Sequence, residues 1–162
     1  DRARFGAQTP PQPGDLVVVD LPNAAATVAR VVAVGGQTVE RRSGRLIIDG
    51  VPVRRRRLST LHVPHFDEAL AATLASLDGY LEELEGRAYV VCDRPDARGR
   101  EARRVRLRPG ELFVVGDNRA ATQAPVQGRV GLDAVRGAPR FVWPSYDGEG
   151  ERRRGRGGLV FR

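Results

Sequence analysis

The sequence predicts a mostly β domain of antiparallel strands carrying one amphipathic helix. Short runs rich in β-branched residues recur at close intervals. Ser43-Gly44 and Asp49-Gly50 separate apolar runs in the manner of two-residue hairpin turns. The helix is predicted by Leu70, Leu74, Leu77, Leu81 and Leu84, which alternate spacings of four and three, the period of one helical face.

Leu16–Val19 is the first apolar run, closed by Asp20 and Pro22, and Thr27–Val34 is the second, ended by Gly35-Gly36. Gln37–Arg41, Arg45–Ile48 and Val51–Val53 follow as a β-meander. The helix is expected over about 67–85, with Asp67 at its start and Gly86 as its stop. Its leucine stripe is expected to pack on the sheet. Ala88–Cys92, Val105–Leu107, Glu111–Val115 and Pro139–Trp143 read as further strands, with Leu159–Phe161 as a last one. No repeat of solenoid length is present.

Composition narrows the function classes. Every basic residue among the 27 is Arg, and the formal net charge is +7. Arg stays protonated and cannot act as a general base at ordinary pH. The runs Arg54–Arg57 and Arg152–Arg154 read as solvated loops. They could face anionic lipid headgroups, but no aromatic residues interleave them, which argues against nucleic acid. Cys92 is the single cysteine, so no internal disulfide forms. His62 and His65 flank Pro64 without an accompanying ligand cluster, and no phosphate-binding Gly loop is present; no metal or cofactor is expected. No apolar stretch is long enough to span a bilayer. The chain opens on Asp1 and lacks Met, so a preceding segment, such as a membrane anchor, is expected.

Three blocks carry a family resemblance: Pro13-Gly14-Asp15-Leu16-Val17-Val18-Val19, then Ala29-Arg30-Val31-Val32-Ala33-Val34-Gly35-Gly36 running on through Gly44–Val53, then Pro109–Val115 followed by Gly116-Asp117-Asn118-Arg119. In this order they resemble the extracytoplasmic domain of type I signal peptidases. Val130–Gly137 and Val142–Asp147 keep the family's order downstream.

The resemblance implies a two-lobed antiparallel β-fold. Its core lobe would combine residues 1–50 and 105–162, and a smaller inserted lobe, 51–104, would carry the helix. It also implies a Ser nucleophile and a Lys general base whose amine must be neutral to accept the Ser proton. The position matching the Lys, just before Arg30, is Ala29, and no Lys occurs elsewhere. No Ser lies upstream of Gly14. Thr122 matches a Ser whose hydroxyl supports the Lys, while Ala124 and Val126 stand where the family has an acid and an arginine.

These departures lead us to expect a catalytically inactive homologue with no catalytic residue retained. Arg30, Gly116, Asp117, Asn118 and Arg119 would remain as scaffold. Thr27, Val28, Ala29, Arg30 and Val31 would form the strand on which an extended peptide docks. The expected partners are signal peptides or other extended peptides, or an envelope protein. The expected location is the periplasmic face of the bacterial inner membrane. The alternative is an active signal peptidase I whose nucleophile segment lies upstream.

Overall fold

A computed structural model describes residues 9–21, 24–58, 77–94, 102–120 and 126–140. These form twelve strands: β1 (Leu16–Leu21), β2 (Ala24–Val34), β3 (Thr38–Arg42), β4 (Arg45–Ile48), β5 (Val51–Pro52), β6 (Arg54–Arg57), β7 (Asp78–Leu84), β8 (Arg87–Asp93), β9 (Ala102–Arg106), β10 (Glu111–Val115), β11 (Gln127–Gly131) and β12 (Val135–Gly137). Every strand pairing is antiparallel, in sheets ordered β11-β10-β2-β1-β12, β5-β4-β3-β9 and β6-β7-β8. The mostly β, antiparallel expectation is met.

Alternation explains the first sheet. Val17 and Val19 on β1 are fully buried, while Leu16 and Val18, which alternate with them, are half-buried, as a period of two requires. β10 is apolar on both faces, so it separates two cores. Leu112 and Val114 join Val17, Val19, Ala29, Val31 and Val130 in one cluster. Phe113 and Val115 join a second cluster with Val39, Leu46, Ile48, Leu84, Tyr89, Val91 and Leu107, to which all three sheets contribute. β2 serves both clusters because its register on β10 shifts between Val31 and Ala33. The extra residue, Val32, lets Val31 face one core and Val32 with Ala33 the other.

The five-stranded sheet is curled. Its two edge strands, β11 and β12, are joined by the 3-10 turn Leu132–Ala134 alone. In a flat sheet, four strand spacings would hold those edges about 19 Å apart. Four residue steps from Gly131 to Val135 reach at most about 14 Å. The cluster containing Ala29 therefore fills the inside of the curl.

The helix expected over 67–85 is corrected in its last turns. Asp78–Leu84 is strand β7, paired along its length with β8; residues 59–76 lie outside the described residues. Leu81 and Leu84, counted as helical, lie on opposite faces of this strand, with Leu84 buried on the face of Glu82 and Leu81 half-buried on the other. Gly86 is not a helix stop. Glu85 (φ 50°) and Gly86 (φ 74°) form a two-residue hairpin turn like Ser43-Gly44 and Asp49-Gly50, whose φ values are also all positive. Hairpin pairing with β8 outweighed a helical leucine pattern.

Arg54–Arg57 is likewise not a solvated loop but edge strand β6. Arg54 pairs with Glu83 and Arg57 with Asp78, and Arg55 turns inward to Asp93. Three of the four charges thus meet a carboxylate. Pro139 and Arg140 are not strand; residues 141–162, including the expected strand at 159–161 and the Arg152–Arg154 run, lie outside the described residues.

Candidate functional site

The three blocks singled out in the sequence converge on one guanidinium. Arg30, on β2, is 11% exposed. Its Nε donates to Asp117 Oδ1 at 2.8 Å, its Nη2 to Asp117 Oδ2 at 2.7 Å, and its Nη1 to the Gly14 carbonyl at 2.7 Å. The parallel pair of bonds is the strong, directional form of an Arg–carboxylate contact. The guanidinium also lies 4.0 Å from the centroid of the Tyr89 ring.

The Gly116–Arg119 turn is a staple between sheets. The Gly116 N–H donates to the Val126 carbonyl at 2.6 Å, and a Cβ on Gly116 would sit 3.2 Å from Val126 Cβ. The Asp117 carbonyl accepts from the Cys92 N–H at 3.0 Å, and the Arg119 N–H donates to the Cys92 carbonyl at 2.7 Å. Asn118 forms a parallel bridge with Cys92, and its Oδ1 accepts from the Ala120 N–H at 3.1 Å. Arg119 Nη2 donates to Glu82 Oε2 at 2.9 Å, with both side chains at least 97% buried. The turn thus ties β10 of the curled sheet to β7 and β8 of the three-stranded sheet.

Neighbouring charges complete this layer. Asp15 is buried; its Oδ2 accepts from the Gln12 N–H at 2.8 Å and its Oδ1 from Arg87 Nη1. Asp93 Oδ2 accepts from Arg41 Nη2 at 3.2 Å and from Arg55 Nη2 at 3.3 Å, and Arg55 lies 3.6 Å over the Tyr80 ring. Sequence reasoning missed Glu82, Tyr89, Asp93, Arg41 and Arg55. The signal for β7 and β8 was Glu85-Gly86, flanked by Leu84 and Arg87; reading it as a turn pairs Glu82 with Tyr89.

Two groups in this layer have shifted titrations. Burial pushes the Tyr89 phenol well above its ordinary value, helped by the negative charge of Glu82. Its hydroxyl is buried and has no hydrogen-bond partner among the described residues. Burial also pushes the Cys92 thiol up, with Asp117 and Asp93 adding to the effect.

Ala29 faces away from this layer. It is 1% exposed inside the curl, beside Val17, Val19, Val31, Leu112, Val114 and Val130, none of which can accept a proton. Thr122 and Ala124 lie outside the described residues, and Val126 packs on the same apolar cluster. Thr27, Val28 and Ala29 pair with Val19, Val18 and Val17 of β1. β10 reaches β2 only from Arg30 to Val34, so among the described residues the second edge is open at Thr27–Ala29 and closed at Arg30 and Val31. A pocket of about 280 Å³ lies elsewhere, lined by Gln12, Pro13, Val34, Gln37, Glu85 and Arg87. Among the described residues no cluster of His, Cys, Asp and Glu could hold a metal ion, and no helix is long and apolar enough to cross a membrane.

These features define an antiparallel β-domain whose Gly-Asp turn clamps an arginine of its central strand. The family model described as signal peptidase, peptidase S26, matches residues 3–143, and the chain belongs to that family. Among solved structures, a signal peptidase I from Enterococcus faecalis V583 is similar at 21% identity, over 80% of this chain and 96% of that one, with a TM-score of 0.43. No curated protein matches significantly.

Proposed function

We propose that this signal peptidase I-like domain binds extended peptides without cleaving them, at the extracytoplasmic face of the membrane. The observation that carries this reading is Ala29. At the position where the family resemblance calls for a Lys base stands a methyl group in an apolar cluster. A base must lie within hydrogen-bond reach of the proton it takes. The Arg30–Asp117 clamp survives beside it, so the scaffold is kept where the base is lost. At Thr27 and Val28, where β10 does not pair with β2 among the described residues, the strand edge gives an extended peptide backbone groups to meet.

The test uses the full-length protein and its Ala29→Lys variant with a signal-peptide substrate. Wild type is expected to raise the fluorescence anisotropy of a labelled signal peptide and to leave that peptide intact. Robust cleavage by wild type would overturn the inactive reading and establish the alternative, an active peptidase with an upstream nucleophile. Absence of binding would remove the peptide-binding reading.

A further inference from the structure

We propose that the outward face of the β5-β4-β3-β9 sheet docks on an anionic phospholipid surface. This sheet buries Val39, Leu46 and Ile48 on its inner face. The opposite face carries Arg42 from β3, Arg45 from β4 and Arg106 from β9, the last paired with Thr38. Between Val39 and Arg41 the β9 register shifts by one residue, so both Arg103 and Arg104 oppose Glu40. All five arginines are exposed. Against them stand Glu40, which already holds Arg42 at 3.1 Å, and Asp49, whose Oδ1 accepts from the Thr38 N–H and hydroxyl. Arg45, Arg103 and Arg104 form no ion pair among the described residues, and Arg106 meets only the more distant charge of Asp49.

Edge protection alone does not account for this face. Arginines on β9 keep an edge strand from pairing with other chains. Arg42 and Arg45, however, sit directly opposite one another on interior strands. Like charges in register destabilise a sheet, and such local violations mark places where the charge has another use. The contrast with β6 is instructive, because three of its four arginines are neutralised within the fold.

A lipid surface suits the face better than nucleic acid does. The face has no aromatic ring on which a base could stack. It does carry Ile47 and, across from it, the exposed Pro52. Arginine stems and small apolar groups can rest at the acyl boundary while guanidinium groups meet the phosphates. This inference does not depend on whether the domain binds or cleaves peptides.

The test is flotation of the 162-residue chain with vesicles of equal parts phosphatidylglycerol and phosphatidylcholine, and with phosphatidylcholine alone. Wild type is expected on the first and not on the second. Each basic residue at an anionic surface is worth roughly fivefold in partitioning, so the triple variant Arg42→Gln/Arg45→Gln/Arg104→Gln should lose more than about tenfold. Arg54→Gln/Arg56→Gln/Arg57→Gln removes the same formal charge and should lose little. Arg42→Lys/Arg45→Lys/Arg104→Lys should keep binding, which separates charge from misfolding, with circular dichroism checking each fold. The proposal is overturned by equal losses in the two glutamine triples, by unchanged binding of the first, or by no binding of wild type to anionic vesicles. Tighter, equally arginine-dependent binding to single-stranded RNA than to vesicles would also overturn it.

Discussion

Arg30 and Asp117 are held by two parallel hydrogen bonds of 2.8 and 2.7 Å across 87 residues of sequence, and the same guanidinium holds the Gly14 carbonyl. One side chain thus links the three stretches that identify the family. Asp117 is 34% exposed, so solvent weakens its share, whereas Arg30 is nearly buried. Removing the carboxylate leaves the guanidinium with the Gly14 carbonyl and the Tyr89 ring. Asp117→Ala should cost about 1–3 kcal/mol, since charge-assisted bonds to a partly buried ion lie in that range. Urea unfolding of both single variants and of Arg30→Gln/Asp117→Ala would measure the coupling. A coupling energy near zero would show that the pair contributes no stability.

Glu82 and Arg119 should respond more strongly. Both are buried, and they connect the Gly116–Arg119 turn to β7. Glu82→Ala removes the carboxylate and leaves a buried charge, for which about 3–5 kcal/mol is typical. The expected result is a large drop in the urea midpoint, well beyond that of Asp117→Ala. A smaller loss than at Asp117 would mean that water reaches Arg119 once the carboxylate is gone.

Tyr89 predicts the opposite sign. Its ring carries Arg30, but its hydroxyl is buried without a partner among the described residues. Leaving a buried hydroxyl unsatisfied costs about 1–3 kcal/mol, so Tyr89→Phe should be neutral or stabilising. The phenol's titration is raised in the fold above its ordinary 10.0, chiefly by burial. Above that pH the unfolded chain loses the proton while the folded chain keeps it. Wild-type stability should therefore fall as pH rises beyond about 10, and Tyr89→Phe should fall less steeply. Urea midpoints at neutral and alkaline pH check both statements.

Cys92 should be a slow thiol. It is half-buried, and burial, with Asp117 and Asp93 nearby, raises its titration. The thiolate is the reacting form, so little is present at neutral pH. Reaction with an aromatic disulfide reagent should be slow in buffer and should speed up in denaturing urea. Equal rates in both would contradict the burial.

The parts legible in the sequence were those written locally. The runs of valine and the Ser43-Gly44 and Asp49-Gly50 turns marked β1 to β5, because period two and turn chemistry need only neighbours. Asp78–Leu84 was misread because Leu81 and Leu84 fit a helical stripe, while pairing with Arg87–Asp93 decided the outcome. Arg55 shows the same limit. Within Arg54–Arg57 nothing distinguishes it, yet Arg55 turns inward to Asp93 while Arg57, on the same face of the strand, stays exposed against Asp78. At the site, Arg30, Asp117 and Arg119 were legible as motif residues. Gly14 was legible in its own block, but Glu82 and Tyr89 were not, because their contacts with Arg119 and Arg30 join distant segments.

Ala29 gives the sharpest chemical test of the inside of the curled sheet. Its neighbours Val17, Val19, Val31, Leu112, Val114 and Val130 offer no charge or hydrogen bond to an ammonium group. In Ala29→Lys, desolvation would favour the neutral amine and pull its titration below the unfolded value near 10.4. Between the two values the unfolded chain binds more protons than the folded one, so stability must rise with pH across that window. The variant should thus be strongly destabilised at pH 6 and recover towards wild type as pH approaches about 10. Urea midpoints across this range decide the point. A pH-independent penalty would mean that the amine reaches water and that position 29 is not the apolar setting a neutral lysine base requires. A rising midpoint would show that the scaffold can still hold such a base, which a methyl group at the same position cannot replace.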